Sequence, residues 1–354
     1  MGLLFKANEI VEKNKGLTFD DVLLMPQFSE ISTRLGPSLK TVLTKSFQLD
    51  IPIVSANMDT ITEWEMCYAL AKLGGVGILH RFMSVEEQGK QIKKLQELYA
   101  KENLKTPICA SVGVKEEGMQ RADYLVKSGV QILTVDIAHG DSVMMLETLT
   151  YIKKKYPQIE VIAGNVANPT GVKRLIDAGA DAIKVGIGPG SMCTTRIITG
   201  CGVPQLTAIS LCVDVARKHN IPVIADGGIR SSGDIVKALA AGADMVMLGS
   251  MLAGSLETPG EVQGGMKRYR GMASKDAQVS WRGELPNGMA PEGESTRVAC
   301  TGSVKNIIDE ICGGIRSGMS YLNAKTIHDM RENSYFMEVT PAGREESRPH
   351  GVKK

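Results

Sequence analysis

The stretch KVGIGPGSMCTTR, Lys184 to Arg196, sets one cysteine among glycines, hydroxyls and a proline. A thiol attacks only as thiolate, and neighbouring donors and positive dipoles favour that form. Ser191, Thr194, Thr195 and Arg196 flank Cys193, and Gly186, Gly188 and Gly190 precede it. Gly-Pro-Gly lets a backbone turn unusually close to a ligand. Read by itself, Cys193 is either a nucleophile or a small buried hydrophobe. Cys67 and Cys212 sit in helical apolar patterns and read as core.

Other residues of chemical interest follow short apolar runs. Asn57, Met58 and Asp59 follow one; Asp136 and His139 follow another, in DIAHG; Asn165 ends a third. Asp226 ends a fourth and leads into Gly227 and Gly228, and Gly249 and Ser250 end a fifth. A buried unpaired carboxylate is expensive, so Asp226 needs a partner. The hydroxyl pair of a ligand ribose is one candidate; capping the helix that begins near SSGDIV is the other, although Ser231 and Ser232 are better placed for that. The DGG and GS pairs either turn amides toward an anion or simply end strands. His139 is either catalytic or a satisfied structural residue.

These residues need a scaffold that gathers them. Eight Val- and Ile-rich runs recur along the chain: IPIVSA, VGILH, ICASVG, QILTVDI, EVIAGNV, AIKVGI, PVIADGG and DMVMLGS. Each has the length of a parallel strand buried on both faces. Amphipathic helical patterns separate them. Ser84, with Glu87 three residues on, forms a capping-box signal, and Gly179 and Gly242 stand at helix-stop positions. Eight such units predict a closed (β/α)8 TIM barrel rather than an open doubly wound sheet. The expected organisation is one domain over residues 1–354. Residues 1–50 form an N-terminal extension across one end, 51–254 carry the eight strands, and 255–354 hold a flap, final helices and a tail. SWRGELPNGMAPEGEST reads as a mobile loop, SVKNIIDEICGGIRSGM as a helix, and Gly351 to Lys354 as a frayed end. In such barrels the active site lies at the C-terminal ends of the strands, often with phosphate at the loops after the seventh and eighth.

Composition narrows the function classes. A chain of 354 residues, 43% hydrophobic, can bury a large core. A net charge of +2 with interspersed signs lacks the basic face of a nucleic-acid binder. Seven cysteines without CxxC spacing argue against a disulfide scaffold or a zinc site and fit reduced thiols in the cytoplasm. No run reaches the roughly 20 apolar residues of a membrane span. The N-terminus lacks a signal-peptide pattern, and Lys6 breaks the myristoylation pattern begun at Gly2.

GIGPGSMCTTR, ADGGIR, VMLGSMLAG, YRGMAS and GGIRSGM, in this order and preceded by GLTFDDVLLMP and ANMDT, resemble the IMP dehydrogenase/GMP reductase family. The resemblance spans nearly the whole chain. Many dehydrogenases of the family insert a regulatory (CBS) domain pair after the second barrel strand; here QELYAKENLKT, Gln96 to Thr106, fills that place.

The resemblance implies a purine nucleotide whose phosphate is held by Ser191, Gly228, Gly249, Ser250 and Tyr269, with Asp226 on the ribose. Gly271, Met272 and Glu292 would face the base. Cys193 would attack purine C2, and Thr195 with Glu292 would relay the proton to the leaving amine. Asp136, Ala138, Asn165 and Gly186 would lie on the nicotinamide cofactor side. Carbonyls of Gly188, Gly190 and Cys193 would hold a monovalent cation such as K+, and the assembly would be a homotetramer.

Family dehydrogenases carry an Arg-Tyr pair in the flap to activate water. Between YRGMAS and PEG this chain has only KDAQVSWRGELPNGMA, Lys275 to Ala290, with Trp281-Arg282 in place of that pair. ANMDT and DIAHG also lean toward reductases, whereas GGIRSGM and TPAGREESRPHGV lean toward dehydrogenases. The expectation is a GMP reductase using NADPH. The alternatives are an IMP dehydrogenase using NAD and a nucleotide-binding protein without catalysis.

Overall fold

The computed structural model describes residues 3–285, 287–349 and 351. Gly2 and the tail expected beyond Gly351 lie outside the described residues, as does Pro286 of the expected loop.

All eight expected runs form strands, most of them shorter than the run: β1 (Ile53–Ser55), β2 (Val76–Leu79), β3 (Cys109–Val112), β4 (Ile132–Asp136), β5 (Glu160–Val166), β6 (Ala182–Val185), β7 (Val223–Asp226) and β8 (Met245–Leu248). They pair in parallel, each with the next, and β8 closes on β1. The result is the expected (β/α)8 barrel. Burial on both faces explains why these strands read as continuous apolar runs rather than alternating ones.

Helices α1 (Trp64–Lys72), α2 (Val85–Glu102), α3 (Lys115–Lys127), α4 (Val143–Lys155), α5 (Pro169–Asp177), α6 (Gln205–Lys218) and α7 (Ser232–Ala240) separate consecutive strands. Only residues 80–84 join β2 to α2, so no domain is inserted there. Ser84 Oγ accepts the Glu87 amide at 3.1 Å, half of the expected capping box. The Glu87 carboxylate faces Lys90 at 3.8 Å instead of returning to Ser84. Gly179 and Gly242 carry φ of 101° and 106°, as helix stops do.

The eighth helix, α9, arrives late. After β8 the chain makes a long excursion containing a hairpin of β9 (Met266–Arg270) and β10 (Ser295–Ala299), with α8 (Lys275–Arg282) between them. Only then does α9 (Val304–Tyr321) pack between α1 and α7 and complete the ring. The segment expected as one mobile loop is therefore composite. Its start, Ser280 to Arg282, is the last turn of α8, and Ser295 and Thr296 open β10. Ser274 caps α8 by accepting the Ala277 amide at 3.2 Å, which is why a helix begins there.

The N-terminal extension reaches both ends of the barrel. Thr41 donates to the Asp244 carbonyl at 2.7 Å and the Ser46 amide to Glu160 at 3.1 Å, both at the starts of barrel strands. At the opposite end Leu17 bonds to Thr207, and Asp20 forms an ion pair with Arg230. Among the described residues no helix is long and apolar enough to cross a membrane.

Candidate active site

A cavity of about 440 Å³ opens at the C-terminal ends of the strands. All the site residues expected from the sequence line it: Asp136, Ala138, Asn165, Gly186, Gly188, Gly190, Ser191, Cys193, Thr195, Asp226, Gly228, Gly249, Ser250, Tyr269, Gly271, Met272 and Glu292. His139 does not; it is exposed.

The cysteine loop after β6 is stitched to the excursion after β8 by backbone bonds. Thr194 N donates to Glu292 O at 3.1 Å, Glu294 N to Met192 O at 2.9 Å, and Glu292 N to Ala273 O at 3.0 Å. Gly271 N also donates to Glu294 O at 2.9 Å. Three distant segments are thereby locked in one register. Cys193 Sγ lies 3.1 Å from Thr195 Oγ1, which donates to Glu292 Oε2 at 2.8 Å. Thiol, hydroxyl and carboxylate form one chain along which a proton can pass.

The other cysteines contrast with Cys193. Burial pushes the thiols of Cys67, Cys109 and Cys212 far up, and that of Cys312 to about 11, so they stay protonated. Cys193 is half-buried at the cavity wall, and all seven thiols are free.

A second cluster of hydroxyls joins the loops after β6 and β8 to β9. Ser191 Oγ is 2.8 Å from Tyr269 Oη, which also bonds to Ser250. Tyr269 is 4% exposed, and burial raises its phenol above the ordinary value despite those two bonds. It therefore remains a neutral donor. Gly227 and Gly228 have φ of 98° and 79°, a turn that residues with side chains rarely adopt. The Asp226 role as a helix cap falls away, because Ser231 caps α7 by accepting the Asp234 amide at 3.2 Å.

The wall formed by Gly271 and Met272 is anchored through Arg270. Its Nε lies 3.1 Å from Asp59 Oδ2, and its Nη1 bonds to the Asp276 carbonyl at 3.1 Å. Asp59, one of the polar residues noted after the first strand, thus tethers the excursion to the β1 loop. Gln278 Nε2 donates to Met272 O at 2.7 Å and completes the support.

Sequence reasoning missed Lys184, Arg81, Phe82 and Gln278, and considered Trp281 and Arg282 only as substitutes for the Arg-Tyr pair. Lys184 is buried between Asp136 and Asp226, with Nζ–O distances of 2.9 and 2.7 Å. Burial by itself would raise the Asp136 carboxyl. The Lys184 charge, its hydrogen bond, the Asn57 amide and Arg81 together hold it below the ordinary carboxylate range. A lysine inside an apolar strand run was the available signal, since lysine is rarely buried unpaired. Phe82 and Trp281 meet edge to face at 6.1 Å between ring centroids, and Arg121 lies 5.8 Å from the Trp281 ring. No local pattern joins Phe82 to Trp281 across such a sequence distance.

A parallel (β/α)8 barrel with a thiol–hydroxyl–carboxylate chain at its C-terminal face, beside a hydroxyl cluster, defines a barrel enzyme suited to covalent chemistry on a small polar ligand. Residues 16–350 match the IMP dehydrogenase / GMP reductase domain. An inosine-5'-monophosphate dehydrogenase of Cryptosporidium parvum is 42% identical, over 96% of each chain. One from Borreliella burgdorferi is 40% identical, over 96% of this chain and 97% of its own. Among solved structures, a cysteine-to-alanine variant of a Trypanosoma brucei GMP reductase, in complex with guanosine 5'-monophosphate, superposes with a TM-score of 0.88. It is 34% identical, with 98% of this chain and 100% of that chain covered. The chain belongs to the IMP dehydrogenase/GMP reductase family, oxidoreductases that act on purine nucleotides with a nicotinamide cofactor.

Proposed function

We propose that the protein is a GMP reductase, converting GMP and NADPH to IMP, ammonia and NADP. The observation that carries this reading is the bridge between the base-facing residues. From Lys275 to Pro291 it contains no Arg-Tyr pair to activate water, and its first half is the helix α8 held against the cavity. The Cys193–Thr195–Glu292 chain remains, and it suits expulsion of an amine.

Ser191, Tyr269 and Ser250, with Gly228 and Gly249, hold the phosphate, and Asp226 accepts from the ribose hydroxyls. Gly271 and Met272 border the base. Cys193 Sγ forms a bond to purine C2, and its proton moves through Thr195 to Glu292. Glu292 then protonates the 2-amino group, which leaves as ammonia; an unprotonated amine leaves poorly. A nicotinamide cofactor bound beside Asp136 and Ala138 would supply the hydride that C2 receives. The C2–S bond then breaks, the electron pair returns to sulfur, and IMP is released. The site fits that cofactor: Asp136, Ala138, Phe82 and Trp281 line the same cavity, and the Arg81 Nε is buried without a hydrogen-bond partner.

A dehydrogenase reading is favoured by Arg282, which lines the cavity. In that reading Cys193 adds to IMP C2, NAD would supply the hydride acceptor, and Arg282 activates the water that releases XMP. Parallel assays decide. GMP with NADPH should deplete cofactor absorbance and yield IMP; production of XMP from IMP and NAD at a comparable or greater rate rejects the reductase reading. Carbonyls of Gly188, Gly190 and Cys193, in one turn beside the cavity, are the proposed ligands of K+, and a homotetramer is the proposed assembly. Stimulation of turnover by KCl over a size-matched salt checks the former, and sedimentation the latter.

A further inference from the structure

Lys184 takes no part in the chemistry above, yet it lines the cavity. It belongs to β6, in AIKVGI, and is 3% exposed. Its ammonium contacts Asp136 Oδ1 from β4 and Asp226 Oδ2 from β7. Each carboxylate has one further donor: Asn57 Nδ2 reaches Asp136 Oδ2 at 2.7 Å, and Asn165 Nδ2 reaches Asp226 Oδ2 at 2.9 Å. Gly164 makes room for this stem, because a Cβ there would come within 2.6 Å of Lys184 Cβ.

We propose that Lys184 is a positioning residue shared by two binding sites, its one ammonium holding Asp226 ready for the nucleotide ribose and Asp136 ready for the cofactor. The proposal rests on the assignments of Asp226 and Asp136 made under Proposed function. Two carboxylates facing one small, poorly solvated space disfavour each other's ionisation, and without a cation between them one keeps its proton. Ionisation matters for binding because a carboxylate only accepts hydrogen bonds, so both hydroxyls of a ribose can donate to it. A protonated carboxyl loses part of that capacity.

The other ionisable groups facing the triad are Arg81, which acts on Asp136, and Tyr269, which feels Asp226. Arg230, Arg282, Cys193 and Glu292 line the same cavity, Arg230 being paired with Asp20 and Asp234. Lys184 contacts both carboxylates directly, whereas among the described residues neither Arg81 nor Tyr269 forms an ion pair or hydrogen bond with Asp136 or Asp226, and burial keeps the Tyr269 phenol neutral.

The test measures affinity for GMP, IMP, NADPH and NAD by calorimetry, and kcat/KM against pH for whichever substrate pair turns over. Lys184→Met should weaken nucleotide and cofactor together, each by about tenfold or more. It should also move the acid limb of kcat/KM to higher pH. Asp226→Asn should weaken chiefly the nucleotide, and Asp136→Asn chiefly the cofactor. In Lys184→Met/Asp136→Asn the remaining Asp226 has no opposing carboxylate, so nucleotide affinity should recover relative to Lys184→Met while cofactor affinity stays low.

Unchanged affinities and an unmoved acid limb in Lys184→Met, with only a lower melting temperature, would mean a purely structural lysine and overturn the proposal. Should Lys184→Met fail to fold, the polar Lys184→Gln replaces it, and GMP and NADPH affinities equal to those of the wild type in that variant overturn the proposal as well. A failure of the reductase reading is separate: it is seen in which substrate pair the wild-type protein turns over.

Discussion

The cavity has two walls of different construction. One is formed by the segments after β6, β7 and β8, which carry Ser191 and Cys193, Asp226 and Gly228, and Gly249 and Ser250 respectively. The barrel ladders set their spacing. The other wall is formed by Phe82 from the β2 loop and by Trp281 and Arg282 from α8, an element outside the βα repeat. Here side chains meet, through an edge-to-face ring pair and a cation over a ring. The difference teaches where the family can diverge. In the proposed reaction the wall that would hold the reacting atom is tied to the backbone of the barrel, and the wall that would govern the fate of the adduct depends on a few replaceable side chains.

Substitutions should separate the two walls. Cys193→Ala removes the nucleophile and should lower kcat by at least about a thousandfold while GMP still binds, measured by steady-state kinetics and calorimetry. Residual turnover within tenfold of wild type would break the assignment of the first wall. Glu292→Gln keeps the shape of the Thr195 contact but removes the proton carrier. It should cost about 10²- to 10⁴-fold in kcat with little change in the KM for GMP.

On the second wall, Trp281→Ala deletes the contact with Phe82 and with Arg121. It should raise the cofactor KM by about threefold to tenfold and leave GMP affinity unchanged, in line with the roughly 0.5–1.5 kcal/mol of an aromatic pair. An equal effect on GMP would erase the distinction between the walls. The smallest effect is expected outside both: Ser231→Ala loses the α7 cap and should cost about 1 kcal/mol of stability in denaturant melts, with KM values unchanged.

Acid should act on the pair of Asp136 with Lys184. The Asp136 carboxyl is held below its ordinary value in the fold, so in acid the unfolded chain binds more protons. Its contribution to stability is present above the ordinary carboxylate range and is lost as pH falls toward the depressed value. Denaturant midpoints measured downward from neutrality should fall there, and less steeply for Asp136→Asn.

The barrel was legible because doubly buried parallel strands must be apolar throughout and because turns that lead from helix to strand need residues such as Gly179 and Gly242. The first wall was legible because it is nearly local: GIGPGSMCTTR, ADGG and LGS each carry their chemistry within one turn. Asp226 was read as needing a partner, and the partner within the chain is Lys184, whose pattern had been counted only as strand. The late helix α9 was read as part of a terminal region, because its periodicity does not say which ring it completes. His139 had a reactive side chain and a position after a strand, but its loop leaves it outside the cavity.

From the sequence alone follow the strand count, the caps of the helices, the thiol in its glycine-rich turn and the missing Arg-Tyr pair. These depend on residue type and on neighbours a few positions away, where periodicity and backbone preference act. Only the tertiary structure decided that Asp59 would tether Arg270, that Trp281 would meet Phe82, and that one lysine would stand between two carboxylates from different strands. Those contacts arise from closing the barrel and returning a long excursion over its mouth, and no local pattern records which distant side chains such a closure brings together.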